Sequence, residues 1–217
     1  MMLELAGGDA YGAGFEYIDE AAVRKFNDLS SYRKHEKYDI GNGWYTDDTQ
    51  MSTAIAELLV EGKEWTQLNI ANKFVECFKR DEREGYAGRF YQFLQEVKTG
   101  EEFLQRIHAD SDKSGAAMRA SPIGFLSDID YVKKYSAIQS KLTHDTSLGI
   151  NAAIASALMS HYFIYELGDK KDLGKFLESQ VHGNWNEPWI GKVGARGYMS
   201  VKAAITAIKE EKSLLVF

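Results

Sequence analysis

The chain of 217 residues contains one cysteine and two prolines. A lone thiol, Cys77, excludes an internal disulfide and a thiolate-bound metal cluster, and it fits a reducing compartment. No run of Lys and Arg alternates with aromatics, and the net charge of −6 argues against general nucleic-acid binding. Glu4 and Asp9 interrupt the start, so no signal peptide is expected. No apolar run is read as approaching the roughly 18 residues of a membrane span. The expected location is the cytoplasm. Strand alternation and hairpin turn signals are also missing. The hydrophobic share of 44% and the charged share of 27% are those of an ordinary globular protein, expected as one domain over residues 1–217.

What the sequence does have is a dense polar stretch, Tyr45-Thr46-Asp47-Asp48-Thr49-Gln50-Met51. Met51, Ala54, Ile55, Leu58 and Leu59 follow at i, i+3, i+4, i+7 and i+8, the stripe of a half-buried helix that Gly62 would stop. Thr46 to Thr49 therefore occupy a helix cap and first turn, where Asp and Thr oxygens accept free backbone N–H groups. One oxygen is enough for a cap. Two adjacent carboxylates repel each other unless a cation lies between them, and hard oxygens on a rigid helix start suit Mg²⁺ or Mn²⁺.

Elsewhere the periodicity is helical throughout. Gly8, Gly12 and Ala13 lie at helical intervals in a glycine-rich start, where another helix or a ligand could come close, and Glu16 emerges just beyond. Glu20 to Asn42 is polar and reads as a surface loop long enough to be a lid, with His35 solvated within it. Helices are expected around Leu68–Phe78, Phe90–Val97, Phe103–Ile107, Ile150–His161, Leu173–Leu177 and Val201–Ile208. Asp81 and Arg83 belong to a charged helix end, and Ser114 to Gly124 is a run of small residues carrying Arg119, which could meet a phosphate or simply face solvent. His144 stands at the start of the long helix beside Asp145. The expected fold is all-α, a single multi-helix domain.

Four of these stretches, taken in order, resemble the ADP-ribosylglycohydrolase family. They are Gly8-Asp9-Ala10-Tyr11-Gly12 through Glu16, Thr46-Asp47-Asp48-Thr49, Gly115-Ala116-Ala117-Met118-Arg119 with Pro122-Ile123-Gly124, and Thr143-His144-Asp145. The resemblance implies an all-α fold, two divalent cations (Mg²⁺ or Mn²⁺), and hydrolysis of the bond at ribose C1 in ADP-ribosylated proteins or small acceptors. It makes Thr46, Asp47 and Asp48 metal ligands and likens Glu16 to a glutamate that gates or activates the site. It has Ser114, Gly115, Met118 and Arg119 line an ADP-ribose pocket, with His144 near a ribose. Asp81 stands where some members carry an aspartate that assists ribose chemistry.

The sequence departs from the family pattern in two places. No Asp-x-Asp-Thr motif, which completes the family's metal site, follows Thr146, and Asp128-Ile129-Asp130-Tyr131 comes too early and has no Thr. Ser114 replaces the usual Asn. A C-terminally truncated domain is expected, ending at Ser213-Leu214-Leu215-Val216-Phe217, with an uncovered apolar patch that favours a homo-oligomer. The alternative is an inactive relative that binds ADP-ribose or is structural. A third reading, an HD-type metal phosphohydrolase on His144-Asp145, needs more histidines at fixed intervals than His35, His108, His161 and His182 provide.

Overall fold

The structure is a computed structural model that describes residues 1–210. Among them lie eleven α-helices and no strand, only two isolated bridges, Asp110 with His144 and Lys113 with Arg196. The all-α expectation holds. The chain-end residues Ser213 to Phe217 lie outside the described part.

Helix α1 (Met2–Ala13) and the short α2 (Glu20–Phe26) precede α3 (Asp47–Glu61), which lies where the apolar stripe put it. Thr46 caps α3, and Gly62 ends it in the left-handed conformation at φ 63°. Met51, Ala54, Ile55 and Leu58 are fully buried. Helix α4 (Gln67–Arg80) packs on α3, and α5 (Gly88–Glu96) and α6 (Gly100–Arg106) pack on α4, with Phe74, Phe78, Leu94 and Phe103 in the same core.

The second half is built around α9 (Ser147–Ile164), which packs against α7 (Gly115–Met118), a 3-10 turn at Ser121–Phe125, α8 (Ile129–Lys141), α10 (Leu173–Gln180) and α11 (Gly197–Glu210). By length and mean hydropathy (1.2) α9 reaches what a membrane span requires, contrary to the reading of the sequence. Ala152, Ala153, Ala155, Ala157 and Leu158 are fully buried against those neighbours, which makes α9 the core helix of this half. Ser52 of α3 donates to the Met118 carbonyl (3.3 Å), tying the two halves together at the site.

Two helices, α2 and α8, lie where none was expected. Asp19 caps α2 by accepting from Ala22, and Asp128 caps α8 by accepting from Asp130 and Tyr131. Hydrophobic periodicity gave no sign of α8 because its inward face is Val132, Ser136, Gln139 and Ser140, mostly polar. The glycine-rich face of α1 holds no packed helix. Gly7, Gly8 and Gly12 face an apolar cleft of about 690 Å³, closed on its far side by Leu29 to Tyr32, and no predicted site residue lines it.

Candidate active site

The N-terminus of α3 is pinned from α1 by one carboxylate. Asp9 accepts from the Thr46 amide (2.8 Å), the Thr46 hydroxyl (2.6 Å), the Thr49 amide (3.1 Å) and the Thr49 hydroxyl (2.6 Å). Its two oxygens thus take four donors, and it acts as a second cap on α3 reached from 37 residues upstream.

Asp47 and Asp48 have far less support, the Thr46 hydroxyl lying 3.5 Å from Asp48 Oδ2. Asp47 is buried; burial first, then Asp48, Asp9 and Glu16, push its carboxyl well above the usual range. Asp48 is half-buried, and the same desolvation, with Asp9 and Glu16 adding repulsion, raises it to about 7. The charged neighbours that act most strongly on this pair are other carboxylates. The structure places Glu16 near enough to Asp47 and Asp48 to raise both, with Asp9 bonded to Thr46 behind them. Below lies a buried polar layer in which Tyr86 donates to Gln50 (2.6 Å), and Gln50 donates to the carbonyls of Cys77 (3.3 Å) and Asp81.

Gly85, after α4, passes directly behind Asp47. Its φ is +112°, and an added Cβ would overlap Asp47 Oδ1 and come within 2.9 Å of Thr46 Cβ. Gly85→Ala is expected to destabilise the protein by roughly 3 kcal/mol, since backbone strain and overlap each cost about 1–3 kcal/mol. A thermal melt unchanged from wild type would contradict this placement.

Glu16 is exposed at the turn after α1, with His35 against it. His35 is not a solvated loop residue; it is 2% exposed, and its Nε2 lies 3.0 Å from Glu16 Oε2. Asp81 is turned to other work than the carboxylate group. Tyr45 and both Nε and an Nη of Arg83 donate to its Oδ2, which holds its carboxyl below the usual range, the Tyr45 bond first.

Arg119 corrects the expectation for the small-residue run. It neither faces solvent nor lines a ligand surface, being 1% exposed. Its Nε donates to Gln139 Oε1 (2.7 Å), an Nη to Thr143 Oγ1 (2.8 Å) and to the Gln139 carbonyl (3.2 Å), and its guanidinium lies over the Phe74 ring. Burial without a carboxylate partner brings it down to about 9. The Thr143 hydroxyl, receiving from Arg119, lies 2.7 Å from His144 Nδ1. Donating there satisfies the hydroxyl and leaves the ring proton on Nε2. That Nε2 is buried with no hydrogen-bond partner, 3.3 Å from where a Cβ on Gly115 would lie. Burial, then Arg119 and Lys113, lowers His144 to about 3. It is a neutral donor awaiting an acceptor. Ser114, Gly115 and Met118 are half-buried around α7 beside it.

The profile of the ADP-ribosylglycohydrolase family matches residues 1–213. The chain belongs to the ADP-ribosylglycohydrolase family. Curated relatives include ADP-ribosylhydrolase ARH3 of Gallus gallus, 30% identical over 173 residues, covering 71% of this chain and 46% of the relative. ARH3 of Homo sapiens is 27% identical over 186 residues, 75% of this chain and 51% of the relative. This ADP-ribosylglycohydrolase-family chain spans about half the length of the curated relatives it matches. A solved structure described as an ADP-ribosylglycohydrolase-related protein complex superposes with a TM-score of 0.72 at 18% identity, covering 99% of this chain and 75% of that one, which supports the fold.

Within the family motifs, the donor set fits a divalent cation in part. Two desolvated carboxylates and the Thr46 hydroxyl share one helix start crowded by further carboxylates, the electrostatics a bound ion would correct. Among the described residues no three of His, Cys, Asp and Glu form a ready ligand group, and Asp9 is already saturated. The HD-type reading fails on geometry: His144 is buried while Asp145 is exposed, and His161 is taken by the Gly124 carbonyl (3.2 Å). Sequence reasoning missed the roles of Asp9 and His35. Asp9 lay inside a motif already quoted, but no local pattern announces a cap reached across 37 residues.

Proposed function

We propose that the chain is a metal-dependent ADP-ribosyl hydrolase that cleaves the bond at ribose C1 between ADP-ribose and a modified side chain or small acceptor. The observation that carries this reading is the desolvated carboxylate pair at the α3 N-terminus, crowded by Asp9 and by the exposed Glu16. Holding such a pair costs folding free energy, which a purely structural helix cap does not require. Family membership and the ARH3 relatives support the substrate class.

Thr46, Asp47 and Asp48 would hold Mg²⁺ or Mn²⁺. When bound, a divalent cation supplies a positive charge against which ribose hydroxyls can be gripped and oriented. Glu16, exposed to solvent, takes the proton of the water that attacks C1 as oxocarbenium character develops and the acceptor leaves. His144 donates its Nε2–H to a ligand oxygen beside Gly115. Arg119 supports that histidine from beneath, through Thr143.

A second reading, ADP-ribose binding without turnover, is favoured by the partial ligand set. Incubating the chain and Mn²⁺ with serine- and arginine-ADP-ribosylated peptides separates the two readings. Release of free ADP-ribose supports the first; ADP-ribose binding with no release supports the second. His144→Ala is expected to weaken ADP-ribose binding about tenfold by calorimetry, the size of one buried hydrogen bond. Unchanged affinity would remove His144 from the binding surface.

A further inference from the structure

We infer that His35 is a positioning residue for Glu16, a fixed hydrogen-bond donor that holds the carboxylate in the orientation its chemistry needs. The inference rests on the reading above, in which Glu16 takes the proton from water.

The observations are geometric. His35 Nδ1 accepts from two backbone amides, those of Lys37 (2.9 Å) and Tyr38 (3.0 Å). A nitrogen that accepts two N–H groups carries no proton, so the ring proton is on Nε2 and is donated to Glu16 Oε2 at 3.0 Å. The imidazole is clamped between Tyr38 and Tyr17, ring centroids 5.0 and 6.0 Å away. The backbone is shaped for this contact from both sides. Tyr17, directly after Glu16, is held at φ 62°, a conformation a bulky residue adopts only when its surroundings impose it. The strand of chain carrying His35 lies so close to the turn that a Cβ on Gly14 would be 2.6 Å from Arg33 Cβ.

A surface glutamate needs no buried partner for stability, and an exposed pair is worth little. A buried histidine with its tautomer fixed by two main-chain donors does something a solvated one cannot. It removes rotamer freedom from an otherwise exposed carboxylate. A misplaced general base lowers turnover while leaving substrate affinity largely intact.

Five proteins test this: the wild type, His35→Ala, Glu16→Gln, the double variant, and His35→Gln, which restores a donor in similar shape. Turnover is read on the ADP-ribosylated peptides with Mn²⁺, after circular dichroism and a melt confirm folding. His35→Ala should lower kcat about 10- to 100-fold with KM within about twofold. His35→Gln should recover part of that loss, and the double variant should be no slower than Glu16→Gln alone. Equal and additive losses, or a His35→Ala kcat equal to wild type, overturn the inference and leave Glu16 in place. A fully active Glu16→Gln overturns the role of Glu16 instead. A second measurement needs no turnover. In ¹⁵N-histidine-labelled protein, His35 should show its proton on Nε2, with a resonance that moves in Glu16→Gln. A proton on Nδ1, or no response to Glu16→Gln, overturns the inference whatever the enzyme does.

Discussion

Replacing Asp47 and Asp48 together by alanine is expected to abolish Mn²⁺ binding in a calorimetric titration, and replacing both by asparagine to stabilise the metal-free protein at pH 8. The reason is the uncompensated charge. Asp48 is raised from 3.8 to about 7, by burial first and by Asp9 and Glu16 next. A carboxyl whose folded pKa lies above its unfolded value binds more protons when folded. Stability is then full below about pH 4 and falls as pH rises towards 7. The full shift corresponds to roughly 4 kcal/mol. Losing two acidic residues from the first turn of α3 takes back about 1 kcal/mol of helix-dipole stabilisation, so the relief of repulsion wins. Other carboxylates shape the absolute pH curve. The readout is therefore the difference in melting temperature between the asparagine variant and wild type, near zero at pH 4 and widening to pH 8. Saturating Mn²⁺ should reverse the order by stabilising only the wild type. Retained Mn²⁺ affinity in the alanine variant, or a pH-independent difference in the asparagine one, would remove the ion from this site.

How much of this was legible in the sequence depended on whether the signal was local. The start, stop and buried stripe of α3 were readable because a cap, a 3.6-residue period and a C-terminal glycine are all written between Thr46 and Gly62. Helix α8 was not, because it turns Ser136, Gln139 and Ser140 inward, and Gln139 serves the buried network of Arg119 rather than an apolar core. Arg119 itself shows why a single residue type misleads. An arginine among small residues fits a phosphate site, a solvent face, or a buried cation satisfied by Gln139 and Thr143, and only the fold distinguishes them. His35 was misread for the same reason. Its polar neighbours in sequence suggested solvent, while its burial comes from the turn after α1, nineteen positions away. The four family motifs carried what local pattern could not, bringing Glu16, Thr46, Asp47, Asp48 and His144 into one candidate set before any fold was available.

Asp9→Ala is expected to be the most damaging single substitution outside the apolar core, costing roughly 3–5 kcal/mol at pH 5. The Asp9 carboxylate receives two amides and two hydroxyls, so its loss strands the Thr46 and Thr49 donors and detaches α1 from the start of α3. Part of that loss is offset where Asp48 is ionised, because Asp9 is the largest charged contributor to its raised pKa. The penalty should therefore be smaller at pH 8 than at pH 5, and the Asp48 carboxyl in the variant should titrate below about 7. Denaturant melts at the two pH values give the penalty, and hydrogen exchange locates it. The Thr46 and Thr49 amides should lose protection well before the centre of α9 does, because only the first two have lost their acceptor. A loss under about 1 kcal/mol would mean that Asp9 does not hold α3. A penalty equal at both pH values would show that the carboxylates at the head of α3 are not electrostatically coupled, and the divalent-ion assignment would lose its physical basis.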